Sequence, residues 1–178
     1  MKKFKKIVID NLTILEGRDF EKVSGYVVVE NGKIKEIGEG SYRGANKIDG
    51  KRGIAFPSFT NAHVHLGDAV AKDFGAYKSI GERVGKNGLK FKVLRTEKNE
   101  KIAEAMACAL KEMLSSGTTA FCDFRESGVK GIKVLKKALD SARGYFNPVI
   151  LGRPEENKEN LEFLGHCDGF GISTLKDY

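Results

Sequence analysis

The periodicity of this chain changes at Ile54, and that change limits the folds open to it. Upstream lie short β-type runs at residues 7–9, 12–15, 25–30 and 33–37. The last two flank Asn31-Gly32, a pair that tolerates positive φ at both central turn positions, so a tight hairpin is predicted there. Ile34 and Ile37 do not alternate strictly, which predicts a bulge or an early strand end. Strands this short need a partner sheet to be stable. Downstream, strand and helix alternate. An apolar run over residues 54–66 reads as a strand buried on both faces, as parallel strands are. Thr96 is placed to cap a helix beginning near Glu97, with Ile102, Met106, Ala109, Leu110 and Met113 as its buried stripe and Gly117 as its stop. Residues 118–124 form the next strand. A helix after Ser127 carries Ile132, Leu135, Leu139 and Ala142 inward and stops at Gly144. A strand at 145–151, a short helix at 155–164 and a strand at 169–174 complete the series. Parallel strands joined by helices imply an α/β fold with right-handed crossovers, in an open doubly wound sheet or in part of a barrel.

Two lengths then matter. The chain has 178 residues, whereas a complete eight-stranded α/β barrel needs about 250. The connection between the first parallel strand and its helix, residues 67–95, holds five glycines and seven Lys or Arg residues. Strand-to-helix loops usually have about 2–6 residues, so this one is a functional loop or a small subdomain.

The chemistry concentrates in Phe56-Pro57-Ser58-Phe59-Thr60-Asn61-Ala62-His63-Val64-His65-Leu66. Residues two apart on a strand share a face, so His63 and His65 project together, with Asn61 and Phe59 below them. Two imidazoles at the carboxyl end of a parallel strand lie where such folds place their sites. Held side by side they suit a divalent transition metal, zinc foremost, with positions left for other ligands and water. The plainer alternative is two ordinary polar residues at a strand end. Three features of context favour metal: the apolar strand, its place at the start of a βα series, and the long loop directly after Leu66. Two of the chain's three histidines also fall here. Asp123, Arg125, Arg153 and Thr174 stand at carboxyl ends of predicted strands, where they can line a pocket or serve as caps and ion-pair partners. His166 precedes the fourth strand, at the end away from the site.

Composition excludes more than it identifies. The net charge of +7 comes from lysines interspersed with glutamates along helical stretches, the pattern of a solvated surface. Basic residues are not interleaved with aromatics on one face, so nucleic acid is not the expected partner. No apolar run approaches the roughly 18 residues of a membrane span. The three cysteines form no Cys-x-x-Cys pair, and a reducing cytoplasm is the expected compartment. Neither Gly-x-Gly-x-x-Gly nor a phosphate loop follows any predicted strand, which argues against a nucleotide-binding doubly wound domain.

Residues 57–66 resemble the first barrel strand of the amidohydrolase superfamily, with Ser58 where glycine is usual. Residues 31–38 resemble the hairpin of the small β-sandwich that precedes the barrel, and residues 116–124 resemble the second barrel strand. The cytosine-deaminase-like and chlorohydrolase-like branch is the nearest in character, partly because of Asn61. The resemblance implies the N-terminal portion of a TIM (β/α)8 barrel, about four βα units over residues 55–178, preceded by a β-sandwich segment over residues 1–54. It implies a metal-dependent hydrolase of carbon–nitrogen bonds other than peptides, by deamination or amide hydrolysis of a small nitrogen heterocycle. His63 and His65 would hold the metal, zinc foremost and iron or manganese as alternatives. Asn61, Asp123, Arg153 and Thr174 are the candidate substrate contacts, and no general acid or base is assigned. The family's other ligands come from later strands, so the missing part would be a second chain, a C-terminal half or another copy. A non-catalytic half-barrel used for binding or assembly, its histidines relics, is the alternative.

Overall fold

The structure is a computed structural model that describes residues 6–85, 87–154 and 161–172. The chain divides into two compact units, Met1–Pro57 and Ser58–Tyr178.

In the first unit β1 (Ile7–Glu16) pairs antiparallel with β2 (Glu21–Glu30), which pairs antiparallel with β3 (Lys33–Glu39). The two short runs expected at 7–9 and 12–15 are one strand. A bulge between Ile9 and Leu12 joins them, with Asn11 at φ 57°. Asn31 and Gly32 take φ 52° and 74°, the double positive turn their side chains permit. The broken alternation after it is a bulge on β3, where Ile34 and Glu36 face the consecutive residues Val29 and Val28. Two further pieces, β4 (Ile48–Asp49) and β5 (Ile54–Ala55), run parallel to β1. Asp10, at the β1 bulge, accepts from Ser41 Oγ at 2.9 Å and from the Lys47 ammonium, and so ties the 41–47 segment to the sheet. The described residues of this unit make one five-stranded sheet, and the expected partner sheet is not among them.

The second unit carries β6 (Phe59–Val64), α1 (Ile80–Val84), α2 (Leu89–Thr96), α3 (Asn99–Ser115), β7 (Thr118–Arg125), α4 (Gly128–Ala142), β8 (Asn147–Gly152) and β9 (Gly169–Phe170). All four strands are parallel and stand in chain order, β6-β7-β8-β9. A doubly wound sheet reverses its strand order and covers both faces. Here the order never reverses. Phe121 and Ile150 point into a core built with Ile102, Met106 and Leu110 of α3 and Ile132, Leu135 and Ala138 of α4. Phe124, an odd number of residues from Phe121, and Val149, adjacent to Ile150, fall on the opposite face, and Val149 is 45% exposed. One covered face, one open face and, among the described residues, sequential parallel strands are consistent with part of a barrel and not with a doubly wound sheet.

Several local expectations change. Thr96 does not cap α3; it ends α2, its hydroxyl donating to the Lys92 carbonyl at 2.9 Å, and Lys98 takes the cap position without a side-chain bond. The reason is that the segment after β6 contains short helices of its own. A 3₁₀ turn (Leu66–Ala71) is followed by α1, closed at its start by a Ser79–Glu82 capping box, and then by α2. Helix α4 ends one residue early, with Arg143 rather than Gly144 in the left-handed region at φ 53°. A Cβ at Gly144 would press on the Phe146 ring, so that glycine serves close approach. Gly117 does end α3, at φ 82°. Before β9 there is a 3₁₀ turn (Glu162–His166), while residues 155–160 of the expected helix, and Thr174 with the end of the fourth strand, lie outside the described residues. No helix among the described residues is long and apolar enough to cross a membrane.

Candidate metal centre

Strand β6 was expected to be buried on both faces. Instead it is exposed along most of its length, because it is the outermost strand of the described sheet and pairs only with β7. Its register also shifts: Asn61 faces Phe121 while Val64 faces Asp123, so β6 carries one extra residue over that stretch. Bulges re-aim side chains beside functional sites. Val64 packs on the helix-side core, and the His63 ring stacks on Phe124 with centroids 4.3 Å apart. The Asn61 side chain folds back on its own strand, its Oδ1 accepting from the His63 amide at 3.2 Å.

The two histidines converge. Their rings lie 5.2 Å apart and their Nε2 atoms 3.3 Å apart. Tetrahedral zinc bound to two imidazoles at about 2.0–2.1 Å sets the two nitrogens roughly 3.3 Å apart, so the pair fits a single divalent ion. The other nitrogen of His65 is also engaged. Nδ1 is 2.9 Å from Glu126 Oε1, the kind of carboxylate partner that fixes the tautomer of a metal-binding histidine and leaves Nε2 free.

Glu126 was not anticipated, and it organises the site. It follows β7 directly and is 4% exposed. Its Oε2 accepts from Arg125 Nη2 at 2.7 Å, and its Oε1 lies 2.6 Å from Lys90 Nζ and 3.8 Å from Arg153 Nη1. Burial works against its charge, but the His65 bond and the Arg125 and Lys90 cations outweigh it and hold the carboxyl well below the usual range. Glu126 stands at the carboxyl end of a parallel strand, the positional rule that singled out Asp123, Arg125 and Arg153, and so was open to discovery by it.

The other candidates separate. Arg153 is brought to the site through Glu126. Asp123 is not: it is fully buried on the helix-facing side of β7, where it accepts from the Leu66 amide at 2.7 Å and lies 3.5 Å from Arg125 Nη1. Burial pushes its carboxyl up against the pull of Arg125. It binds the segment after His65 to β7 and has no exposed surface in this structure. Arg125, 1% exposed, joins both carboxylates and packs against Gly67, where any Cβ would collide with the guanidinium. Among the described residues no third His, Cys, Asp or Glu closes the ligand set around His63 and His65.

If Glu126 orients His65, Glu126→Gln weakens zinc binding by roughly 10- to 100-fold, the range for partners of metal-bound histidines. Competition with a chromogenic chelator measures this. An unchanged affinity would remove Glu126 from the site.

Known proteins similar to this chain point to one family. The family model described as the amidohydrolase family matches residues 54–165. An uncharacterized protein of Methanocaldococcus jannaschii is 36% identical over 167 residues, spanning 92% of this chain and 43% of the relative. A 5-methylthioadenosine/S-adenosylhomocysteine deaminase of Clostridium tetani is 30% identical over 163 residues, spanning 85% of this chain and 36% of the relative. This chain thus spans less than half the length of these curated relatives. Among solved structures, atrazine chlorohydrolase from Arthrobacter aurescens complexed with zinc shares the fold, with a TM-score of 0.62 at 22% identity over 83% of this chain and 35% of that one. With the family model matching more than half of its residues, the His63/His65 strand among them, the chain belongs to the amidohydrolase family.

Proposed function

We propose that this chain carries the first metal-ligand pair of a metal-dependent aminohydrolase, acting on a carbon–nitrogen bond of a small nitrogen heterocycle, with adenine nucleosides as the first class to test. The carrying observation is the 3.3 Å Nε2–Nε2 approach of His63 and His65, with Nδ1 of His65 held by buried Glu126. The substrate class is supported by the name of the Clostridium tetani relative, a deaminase of such nucleosides. His63 and His65 would hold a divalent ion, zinc foremost and iron or manganese as alternatives; the chemistry it supplies when bound is acidification of water and polarisation of the electrophilic carbon. This chain's own residues do the positioning. Phe124 supports the His63 ring, Glu126 sets the His65 tautomer, and Arg125 with Asp123 anchors the segment that follows His65.

The remaining ligands and the proton-shuttling group belong, in this reading, to the polypeptide that completes the barrel, in the same chain or a second one. Its support is that the relatives are more than twice as long as the matched segment, while among the described residues β6 has one sheet neighbour and the face bearing His63 is open. The five-stranded sheet of the first unit is likewise read as part of a β-sandwich. Three free cysteines fit a reducing cytoplasm.

The test joins metal analysis to ammonia release. The protein with its barrel completed should contain about one or two divalent ions per site and release ammonia from 5-methylthioadenosine or S-adenosylhomocysteine, with loss on chelation and recovery on readdition of zinc. Absence of bound metal, together with no ammonia from nucleosides or free nucleobases, would overturn it.

A further inference from the structure

We infer that Lys90 is a positioning residue for the metal centre: its ammonium, supplied by the first turn of α2, clamps Glu126 so that His65 keeps its proton on Nδ1 and turns Nε2 toward His63. The consequence for metal binding rests on the reading above; the geometry does not.

Lys90 lies in the long insertion after β6, outside every barrel strand, yet its side chain is only 8% exposed. Burying an ammonium is costly unless it is paired. Its nitrogen lies 2.6 Å from Glu126 Oε1, 3.1 Å from Asp68 Oδ1 and 3.2 Å from His65 Nδ1. Lys90 also lines a cavity of about 310 Å³ that combines apolar residues such as Val70, Phe74 and Leu89 with the charged Asp68, Lys72 and Arg83.

A lysine ammonium has three protons and no acceptor, so Lys90 can donate to Glu126 in either of two arrangements. If it also donates to His65 Nδ1, the neutral ring carries its proton on Nε2, that nitrogen has no lone pair for a metal, and Nδ1 meets Glu126 as acceptor against acceptor. If it does not, His65 donates Nδ1–H to the same carboxylate and Nε2 is free. The contact lengths favour the second, since Nδ1 lies 2.9 Å from Glu126 Oε1 and 3.2 Å from Lys90 Nζ. Arg125 holds the other oxygen of Glu126 at 2.7 Å, so a cation on each oxygen fixes the carboxylate. Without Lys90, Oε1 keeps Arg153 Nη1 at 3.8 Å, a weaker hold on that oxygen.

The imidazole nitrogens of the metal-free protein report this directly by ¹⁵N-resolved NMR at about pH 8, above the ordinary imidazole range. In the unaltered protein His65 should show its proton on Nδ1. Lys90→Met should give a mixture with a substantial Nε2–H form, while Lys90→Arg restores Nδ1–H and His166 stays constant throughout. Zinc affinity should fall roughly tenfold in Lys90→Met, at the low end for an outer partner of a bound histidine, and recover in Lys90→Arg. An Nε2–H tautomer in the unaltered protein would overturn the inference, and this holds even if Lys90→Met does not fold. A folded Lys90→Met with unchanged tautomer and unchanged zinc affinity would do the same. An Nδ1–H tautomer that shifts as expected, in a protein that releases no ammonia, would sustain the role of Lys90 and count against the hydrolase reading alone.

Discussion

Alanine at His63 or His65 should abolish tight metal binding and, with it, ammonia release by the completed enzyme. Each histidine supplies one of the two nitrogens that stand 3.3 Å apart, and removing either leaves a single ligand from this strand. The loss should exceed the roughly 10- to 100-fold that removal of an outer partner costs. The two changes differ in what else they disturb. His63 is exposed and stacks on Phe124, so His63→Ala should leave the fold intact. His65→Ala also takes a partner from buried Glu126, and a modest fall in stability should accompany the loss of metal. His166 is the internal control. It ends a 3₁₀ turn where its carbonyl accepts from Lys136, and His166→Ala should leave metal content unchanged. Metal analysis of the three variants decides the matter, and undiminished zinc in His63→Ala would remove the pair from the site.

Removal of Arg125 should produce the largest loss of stability. Its guanidinium is 1% exposed and lies 2.7 Å from Glu126 Oε2 and 3.5 Å from Asp123 Oδ2. Arg125→Met keeps much of the volume but leaves two buried carboxylates without their shared cation. Breaking a buried pair in this way typically costs about 3–5 kcal/mol. Lysine at 125 should recover only part of this, because a single ammonium cannot reproduce the fork that meets both carboxylates. Gly67 shows how tightly the fork is held, since its missing side chain is the space the guanidinium occupies. Urea titration followed by circular dichroism measures the change, and a loss below about 1 kcal/mol would show that the carboxylates find other partners.

Much of the frame was legible in the residues. Hydrophobic periodicity identified the stripe of α3 and α4, Asn31-Gly32 identified the hairpin, and the apolar runs identified the parallel strands, because each of these signals is local. The errors were local competitions settled by neighbours. Thr96 looked like a cap until the insertion proved helical and absorbed it into α2. Gly144 looked like a helix stop, but Arg143 took the left-handed turn while Gly144 gave room to Phe146. Strict alternation placed Asn61 beneath the histidines. The bulge between Asn61 and Val64 broke that alternation, and the Asn61 carbonyl turned to the His63 amide.

The site divides along the same line. That His63 and His65 form a pair follows from their spacing on one strand, which brings them together in any register that keeps the strand. Their surroundings are set by contacts 25 to 61 residues distant in the chain. Asp123 and Glu126, three residues apart, received opposite assignments from the tertiary structure: one under the helices as an anchor for Leu66, the other against His65. Lys90, one of many lysines in a basic chain, became the one that meets Glu126 at 2.6 Å. Sequence alone determined that His63 and His65 stand as a pair and which element carries them, because covalent spacing and periodicity act within an element. Only the tertiary structure decided which charges surround that pair, because a buried carboxylate is paired with whichever cations packing brings within reach.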